Sequence, residues 1–220
     1  MRLLPSIPTL TSRSPTLITL VLLLALPHGT HALWPQPRSL HTGQSALRLA
    51  PSFTITVAVP NAPADLLAAV ERTRWRLATD KLARLDPTRG AADRPAVQRA
   101  HALTALVLRL EGDGAPERPV KGIAEEARAP LGTREEHYSL GVPDDGSKAV
   151  LSAASTLGLF RGLNTFAQLW YSCDDGGVGV DVDVDVDVGG STVYMLTAPV
   201  MIQDWPAYVR PVLLCGWCDG

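Results

Sequence analysis

The sequence has few cysteines and little net charge, the two compositional features that would assign a small protein to a specialised class. Its 220 residues contain three cysteines, too few for a miniprotein built on disulfides. Its formal net charge is −2, which argues against nucleic-acid binding, because such a protein needs a basic surface to neutralise phosphates. With 46% hydrophobic and 19% charged residues, the chain is not collagen-like, coiled-coil or wholly disordered. The composition allows one ordinary globular domain.

Motifs that would point to a specific chemistry are also lacking. The chain has no H-E-x-x-H, G-x-S-x-G, P-loop or G-x-G-x-x-G sequence. Neither Asn61 nor Asn164 begins an N-x-[ST] sequon, so no N-glycosylation is expected. We therefore predict no metal and no cofactor.

The N-terminus has the pattern of a secretory signal peptide. Arg2 and Arg13 supply positive charge, residues 17–26 form an apolar run, and Thr30-His31-Ala32 offers small residues for cleavage. The run of ten residues is too short for a membrane-spanning helix, which needs about 20. We predict a signal peptide over residues 1–32 and a secreted, extracellular protein. A buried core helix or an uncleaved anchor remains the alternative.

Hydrophobic periodicity predicts alternating strands and helices in the rest of the chain. The predictions are a strand at 52–59, a helix at 64–85 stopped by Asp86-Pro87, a loop at 89–99, a strand at 105–110, a polar turn at 111–119, a hairpin at 137–142 and 148–152, and a helix from Ser155 or Thr156 to about Tyr171. Leu159, Leu163, Phe166 and Trp170 share one face of the last helix. The order predicts an α+β fold with a single mixed sheet and helices packed on one face.

Residues 180–188 read VDVDVDVDV, a repeat with a period of two. In a strand it would place four aspartates on one face, and clustered carboxylates suit Ca²⁺. A flat carboxylate row repels itself and lacks the turn that wraps ligands around an ion. We therefore interpret the repeat as a low-complexity insertion in a surface loop.

Cys215 and Cys218 form a C-x-x-C pair near the C-terminus. In thioredoxin-like proteins such a pair lies at the start of a helix, which lowers one thiol pKa, but no helical pattern follows here. Zinc would need two more ligands, and Cys173 is the only other cysteine. We interpret the pair as fortuitous, with the disulfide state of the three cysteines left open.

Two acidic clusters are candidate sites. Glu135-Glu136-His137 suggests a metal site, but the H-E-x-x-H motif is absent, and we predict an exposed polar turn edge. Glu125-Glu126 suggests an acid/base pair, but neighbouring side chains in a helix or strand point apart, which favours a solvated face. We predict no catalytic, substrate-binding or metal-ligating residue.

Four stretches together resemble one enzyme family. They are residues 33–37 (LWPQP), 138–146 (YSLGVPDDG), 153–171 (AASTLGLFRGLNTFAQLWY) and 198–208 (APVMIQDWPAY). In this order they are similar to the N-terminal region of secreted eukaryotic β-N-acetylhexosaminidases of glycoside hydrolase family 20, in the fungal style. The third stretch is the most specific.

The resemblance implies a division of the chain after the signal peptide. Residues 33–198 would be a non-catalytic, zincin-like α+β domain. Residues 199–208 would begin a (β/α)8 barrel, leaving an orphan first strand around Val200–Ile202 without its barrel partners. Residues 209–220 diverge from the family pattern and are expected to be a non-native tail. In the family an Arg-Gly follows this strand and the Arg binds sugar hydroxyls, but Arg210 does not safely inherit that role.

The resemblance also implies what the chain does and does not do. The intact family hydrolyses terminal N-acetylhexosamine residues of chitin oligosaccharides and glycans by a substrate-assisted retaining mechanism. The family's catalytic Asp-Glu pair lies in the barrel and has no counterpart here, so the chain alone is expected to be inactive. In the full-length enzyme the domain would pack on its own barrel. The alternatives are a stand-alone secreted module that assists a partner glycosidase and, less favoured, a C-x-x-C redox protein.

The resemblance gives one charged helical residue a structural role. Arg161 is expected to pair with a carboxylate, and Gly162 is expected to let another backbone approach the helix closely.

Overall fold

The computed structural model describes residues 33–80, 92–112, 119–174 and 191–205. These ranges contain, in chain order, β1 (Ser39–Ala58), α1 (Ala64–Thr79), α2 (Arg94–Gln98), β2 (His101–Leu110), α3 (Ile123–Glu126), β3 (Tyr138–Val142), β4 (Ala149–Ala153), α4 (Thr156–Gln168), β5 (Tyr171–Asp174) and β6 (Ser191–Asp204). The predictions for residues 1–32, 86–87, 180–188 and 209–220 lie outside the described residues. The strands form a single mixed sheet, which confirms the predicted α+β class.

The strand order in the sheet is β1-β2-β4-β3-β6-β5. The β1–β2 and β2–β4 pairs are parallel, and the β4–β3, β3–β6 and β6–β5 pairs are antiparallel. β1 also pairs antiparallel with β6 through its N-terminal half, while its C-terminal half pairs with β2. One long strand therefore covers an edge of β2 and an edge of β6, which removes two edges that could pair with another chain.

β1 begins 13 residues before the strand predicted at 52–59. Register shifts interrupt its pairing with β6 after Thr42 and its pairing with β2 after Leu49. Such irregularities break the alternation of side chains, so the first half carries no clear period of two. A Cβ at Gly43 would meet the carbonyl of Ala198 and the ring of Pro199, so glycine permits the close approach of β1 to β6.

The main core lies between one face of the sheet and helices α1 and α4. Its largest fully buried side chains come from both layers and include Trp170, Tyr138, Phe166, Leu66, Leu106, Leu108, Leu140, Leu151 and Leu159. Each contributes about 1.5–3 kcal/mol relative to an exposed position. The apolar face predicted for the last helix is thus confirmed as the face that packs on the sheet.

α4 begins where the sequence predicts and ends earlier. The Ser155 hydroxyl accepts a hydrogen bond from the Gly158 N–H at 2.9 Å, which caps the helix. The helix ends at Gln168, and Tyr171 starts β5 instead of ending the helix. A Cβ at Gly158 would meet the backbone carbonyl of His137.

The close approach expected at Gly162 involves side chains rather than a backbone. A Cβ at Gly162 would overlap the Leu151 side chain and lie 3.0 Å from the Tyr138 ring. Glycine at this position therefore lets α4 sit close to β3 and β4.

The prediction that every helix packs on one face is wrong for α2, as is the prediction that residues 94–98 are a loop. Pro95 falls in the first turn of α2, where its missing N–H costs no helical hydrogen bond. Val97 of α2 packs with Cys173 and Tyr194 in a second cluster. Because Tyr194 and the main-core residue Met195 are successive in β6, they point to opposite faces of the sheet.

The expectation of an orphan strand at Val200–Ile202 is also wrong. Val200 pairs with Thr42 of β1 and with Val142 of β3, and Ile202 is likewise paired on both sides. Val200 and Ile202 are 0% and 1% exposed. Residues 199–204 therefore complete this sheet because β1 and β3 supply the partners that the expectation assigned to a barrel.

Candidate functional site

The two neighbouring glutamates of α3 have different surroundings. Glu125 is exposed and lies 3.5 Å from the Lys121 ammonium, as expected of a solvated face. Glu126 is half-buried, and its Oε2 accepts hydrogen bonds from the Leu157 N–H at 2.7 Å and the Thr156 hydroxyl at 3.0 Å. The solvated-face prediction is wrong for Glu126 because its carboxylate caps the start of α4, where negative charge is favourable.

Glu136 is 7% exposed, so the prediction of an exposed turn edge is wrong at this residue, although Glu135 is exposed. The Arg161 Nε donates to Glu136 Oε2 at 3.1 Å, which confirms the predicted pairing of Arg161 with a carboxylate. A buried charge needs such a partner to offset the loss of hydration. Glu126 and Glu136, one from each acidic cluster, thus both bind another part of the domain.

Within the described ranges, no group of three or more His, Cys, Asp or Glu side chains is placed to hold a metal ion. Cys173 is buried in the cluster on the second face of the sheet, where a thiol is unreactive. Cys215 and Cys218 lie outside the described residues.

The candidate site is a groove of about 520 Å³ between the start of the described chain, helix α4 and the end of β6. We call it the tryptophan groove. The side chains that line the groove include Trp34, Arg38, Glu136, Tyr138, Arg161, Asn164, Gln168, Asp204 and Trp205.

Residues distant in the sequence are held together at this groove by specific contacts. The Gln168 side chain accepts from the Trp34 N–H at 2.8 Å and donates to the Trp34 carbonyl at 3.0 Å. The Arg38 N–H donates to Asp204 Oδ1 at 3.1 Å, and the Arg38 guanidinium lies 5.9 Å from the ring centroid of Trp205. This arrangement leaves Trp34 84% exposed and Trp205 46% exposed.

Tyr138 forms the buried wall of the groove. Its hydroxyl is hydrogen-bonded to the Thr165 hydroxyl at 2.7 Å. Burial, with a smaller contribution from the nearby Asp204 charge, raises the pKa of Tyr138 to about 12. The phenol therefore stays neutral at physiological pH.

Three titratable side chains of the tryptophan groove make contacts within the domain. Glu136 is ion-paired, Tyr138 is neutral, and Asp204 accepts from a backbone N–H. Sequence reasoning placed Trp34 and Trp205 in resembling stretches but missed that they line one groove. The available signal was a pair of tryptophans, each beside a proline, with no place in an amphipathic pattern.

Residues 33–169 match the model of a family described as "beta-acetyl hexosaminidase like". No curated protein matches the chain. In the described part of the chain, no helix has the length and apolar character needed to cross a bilayer.

Solved structures give weaker likenesses. Flavobacterium johnsoniae chitobiase is 18% identical with a TM-score of 0.44, and the match covers 79% of this chain and 20% of that chain. The GH20 exo β-N-acetylglucosaminidase of Vibrio harveyi is 11% identical with a TM-score of 0.38, covering 79% and 19%. The β-N-acetylhexosaminidase of Bacteroides fragilis NCTC 9343 is 14% identical with a TM-score of 0.35, covering 80% and 25%. The chain thus spans a fifth to a quarter of these proteins.

Proposed function

The chain belongs to the beta-acetyl hexosaminidase like family, and from that premise we propose that it is the non-catalytic N-terminal part of a β-N-acetylhexosaminidase. The intact enzyme would remove terminal N-acetylhexosamine residues from chitin oligosaccharides or glycans. The main observation behind this proposal is the family match over residues 33–169. The matched range contains most strands of the described sheet and both long helices.

The proposed chemistry of the intact enzyme explains why this part alone would be inactive. In the substrate-assisted mechanism the sugar's own acetamido oxygen attacks the anomeric carbon. One carboxylic acid protonates the leaving oxygen, and a neighbouring carboxylate orients the acetamido group. Such groups converge at the mouth of a closed (β/α)8 barrel, a structure built from eight strands and eight helices.

Three carboxylates of the described domain support this proposal because each makes a structural contact. Glu136 pairs with Arg161, and Glu126 caps α4. Asp65 accepts from the Ala124 N–H at 3.0 Å and so fixes the start of α3. A carboxylate held in this way is poorly placed to exchange protons with a sugar.

A chromogenic N-acetylglucosaminide assay on the purified chain tests the proposal, with an intact β-N-acetylhexosaminidase as the positive control. We expect no hydrolysis above the buffer rate. Turnover that persists after repeated purification would mean that the chain contains its own catalytic site, and the proposal would fail.

Secretion belongs to the same proposal. Cleavage after Ala32 would release a chain that starts at Leu33, the first residue of the family match. Expression in a secreting eukaryotic host, followed by N-terminal sequencing of the medium fraction, tests it. A product retained in the cells with residues 1–32 attached would contradict it.

A further inference from the structure

The face of the sheet opposite α1 and α4 carries a continuous row of polar side chains. One residue from each of five adjacent strands lies in register with the next, in the order Arg109 (β2), Ser152 (β4), Ser139 (β3), Gln203 (β6) and Ser39 (β1). Their neighbours along the strands, such as Leu108, Leu140 and Ile202, belong to the main core, so the row points away from it. Because adjacent strands lie about 4.8 Å apart, the polar row spans roughly 19 Å.

A groove of about 460 Å³ runs along the polar row, and we call it the outer groove. Its other side is a second row of residues in register, Val150, Gly141, Met201 and His41. A Cβ at Gly141 would meet nothing within 4 Å, and Met201 is 64% exposed, so this side is open and partly apolar. The volume falls in the range of sites for small ligands, about 300–1,000 Å³.

The charge of the outer groove favours an anion. Its described lining includes Arg109 and His41 and no acidic side chain. The Arg109 Nε donates to the Ser152 hydroxyl at 2.8 Å, and Ser152 is 4% exposed, so a buried group orients the guanidinium. The ion pairs among the described residues do not include Arg109. Its two terminal nitrogens therefore present a planar fork, the geometry that binds a carboxylate or sulfate through paired hydrogen bonds.

The remaining side chains of the polar row favour a sugar as the carrier of that anion. Serine hydroxyls and the glutamine amide both donate and accept hydrogen bonds, as sugar hydroxyls do. The sugar units of an extended β-linked chain advance by nearly the distance between adjacent strands. A glycan laid across the strands therefore meets one polar side chain with each unit, while its apolar ring atoms contact Met201.

We propose that the outer groove binds an extended β-linked glycan that carries a carboxylate or sulfate group. Arg109 binds the anionic group, and the hydroxyls of the following sugar units bind along the polar row as far as Ser39. The sugar carrier rests on the proposed function, whereas the anionic group rests on the charge of the groove.

Isothermal titration calorimetry of the purified full chain tests the proposal, with a hyaluronan hexasaccharide in which N-acetylglucosamine alternates with glucuronate. We expect a dissociation constant below about 1 mM, and roughly tenfold weaker binding of both the neutral N-acetylglucosamine hexamer and sodium sulfate. Arg109→Gln should weaken binding of the hexasaccharide roughly tenfold or more because charge-assisted hydrogen bonds are lost. Arg109→Lys, which keeps the charge and loses the fork, should recover part of the affinity. Gln203→Ala should weaken binding roughly two- to tenfold, since it removes a sugar contact three strands away from Arg109.

Arg72→Gln is the matched control. It removes the same charge from an exposed position on α1 outside the groove, so it should leave the dissociation constant unchanged. Circular dichroism spectra should show that all variants remain folded.

The absence of binding up to about 1 mM overturns the proposal. So does equal affinity for the neutral hexamer or for sulfate alone, or an equal effect of Arg109→Gln and Arg72→Gln. Hydrolysis in the chromogenic assay would refute the proposed function, whereas a lack of binding in this titration refutes the outer groove alone.

Discussion

β6 pairs with a strand on each side, and this predicts very different losses of stability when two successive residues of the strand are truncated. Ile202 is 1% exposed and pairs with Leu40 on one side and Leu140 on the other, whereas Met201 is 64% exposed. Truncating a buried isoleucine to alanine costs about 2–5 kcal/mol through lost transfer energy and the cavity left behind. Truncating the exposed methionine should stay within about 0.5 kcal/mol. The two substitutions therefore separate a strand inside the sheet from one on its surface.

Thermal and urea unfolding of the full chain, followed by circular dichroism, measures the difference. For a protein of this size about 1 kcal/mol lowers Tm by about 2–4 °C, so Ile202→Ala should lower it by roughly 4–20 °C. The loss is a large fraction of a typical total stability of about 5–15 kcal/mol. Met201→Ala serves as the control on the same strand. Equal effects of the two substitutions would show that this segment is not integrated in the core, and the reasoning would be refuted.

Three further predictions concern stability. Glu126→Ala should cost about 1–2 kcal/mol because the Leu157 N–H at the start of α4 loses its acceptor, while Glu125→Ala should be near neutral in the same urea titration. Gly162→Ala should lower the free energy of unfolding by about 1–3 kcal/mol through overpacking. Gly141→Ala is the control: a Cβ at Gly141 meets nothing within 4 Å, so this substitution measures the effect of the methyl group without overpacking. Burial raises the pKa of Tyr138 to about 12, so its contribution is complete below the ordinary tyrosine pKa and is lost as pH rises through the folded pKa. Alkaline unfolding should therefore become less steep in Tyr138→Phe, and an unchanged slope would contradict the assignment.

Elements defined by local signals were predictable from the sequence. The spacing of Leu159, Leu163 and Phe166 identified the apolar face of α4, and Ser155 identified its start. The turn between β3 and β4 was marked by Pro143 to Gly146, where glycine has a φ of +80°. In these segments the preference of the local chain and the demands of packing agree.

Features that depend on distant partners were not predictable. The first half of β1 has no regular alternation because its partner changes from β6 to β2 along its length. The local sequence around Glu136 is typical of a polar turn. Its burial depends on the ion pair with Arg161, which lies 25 residues later in the sequence. Nothing local in either segment encodes such a partner.

The sequence stretches that carry the family resemblance are hydrogen-bonded to one another in the structure. These contacts give a physical reason why the stretches occur together. The first stretch is bonded to the third, the second is bonded to the third, and the segment after the first is bonded to the fourth. These hydrogen bonds link Trp34 to Gln168, Tyr138 to Thr165, and Arg38 to Asp204. The shared pattern therefore describes a network that fixes the two ends of this domain against α4. A network of that kind identifies the fold and the family, while activity depends on groups that converge on a sugar, which this network does not supply.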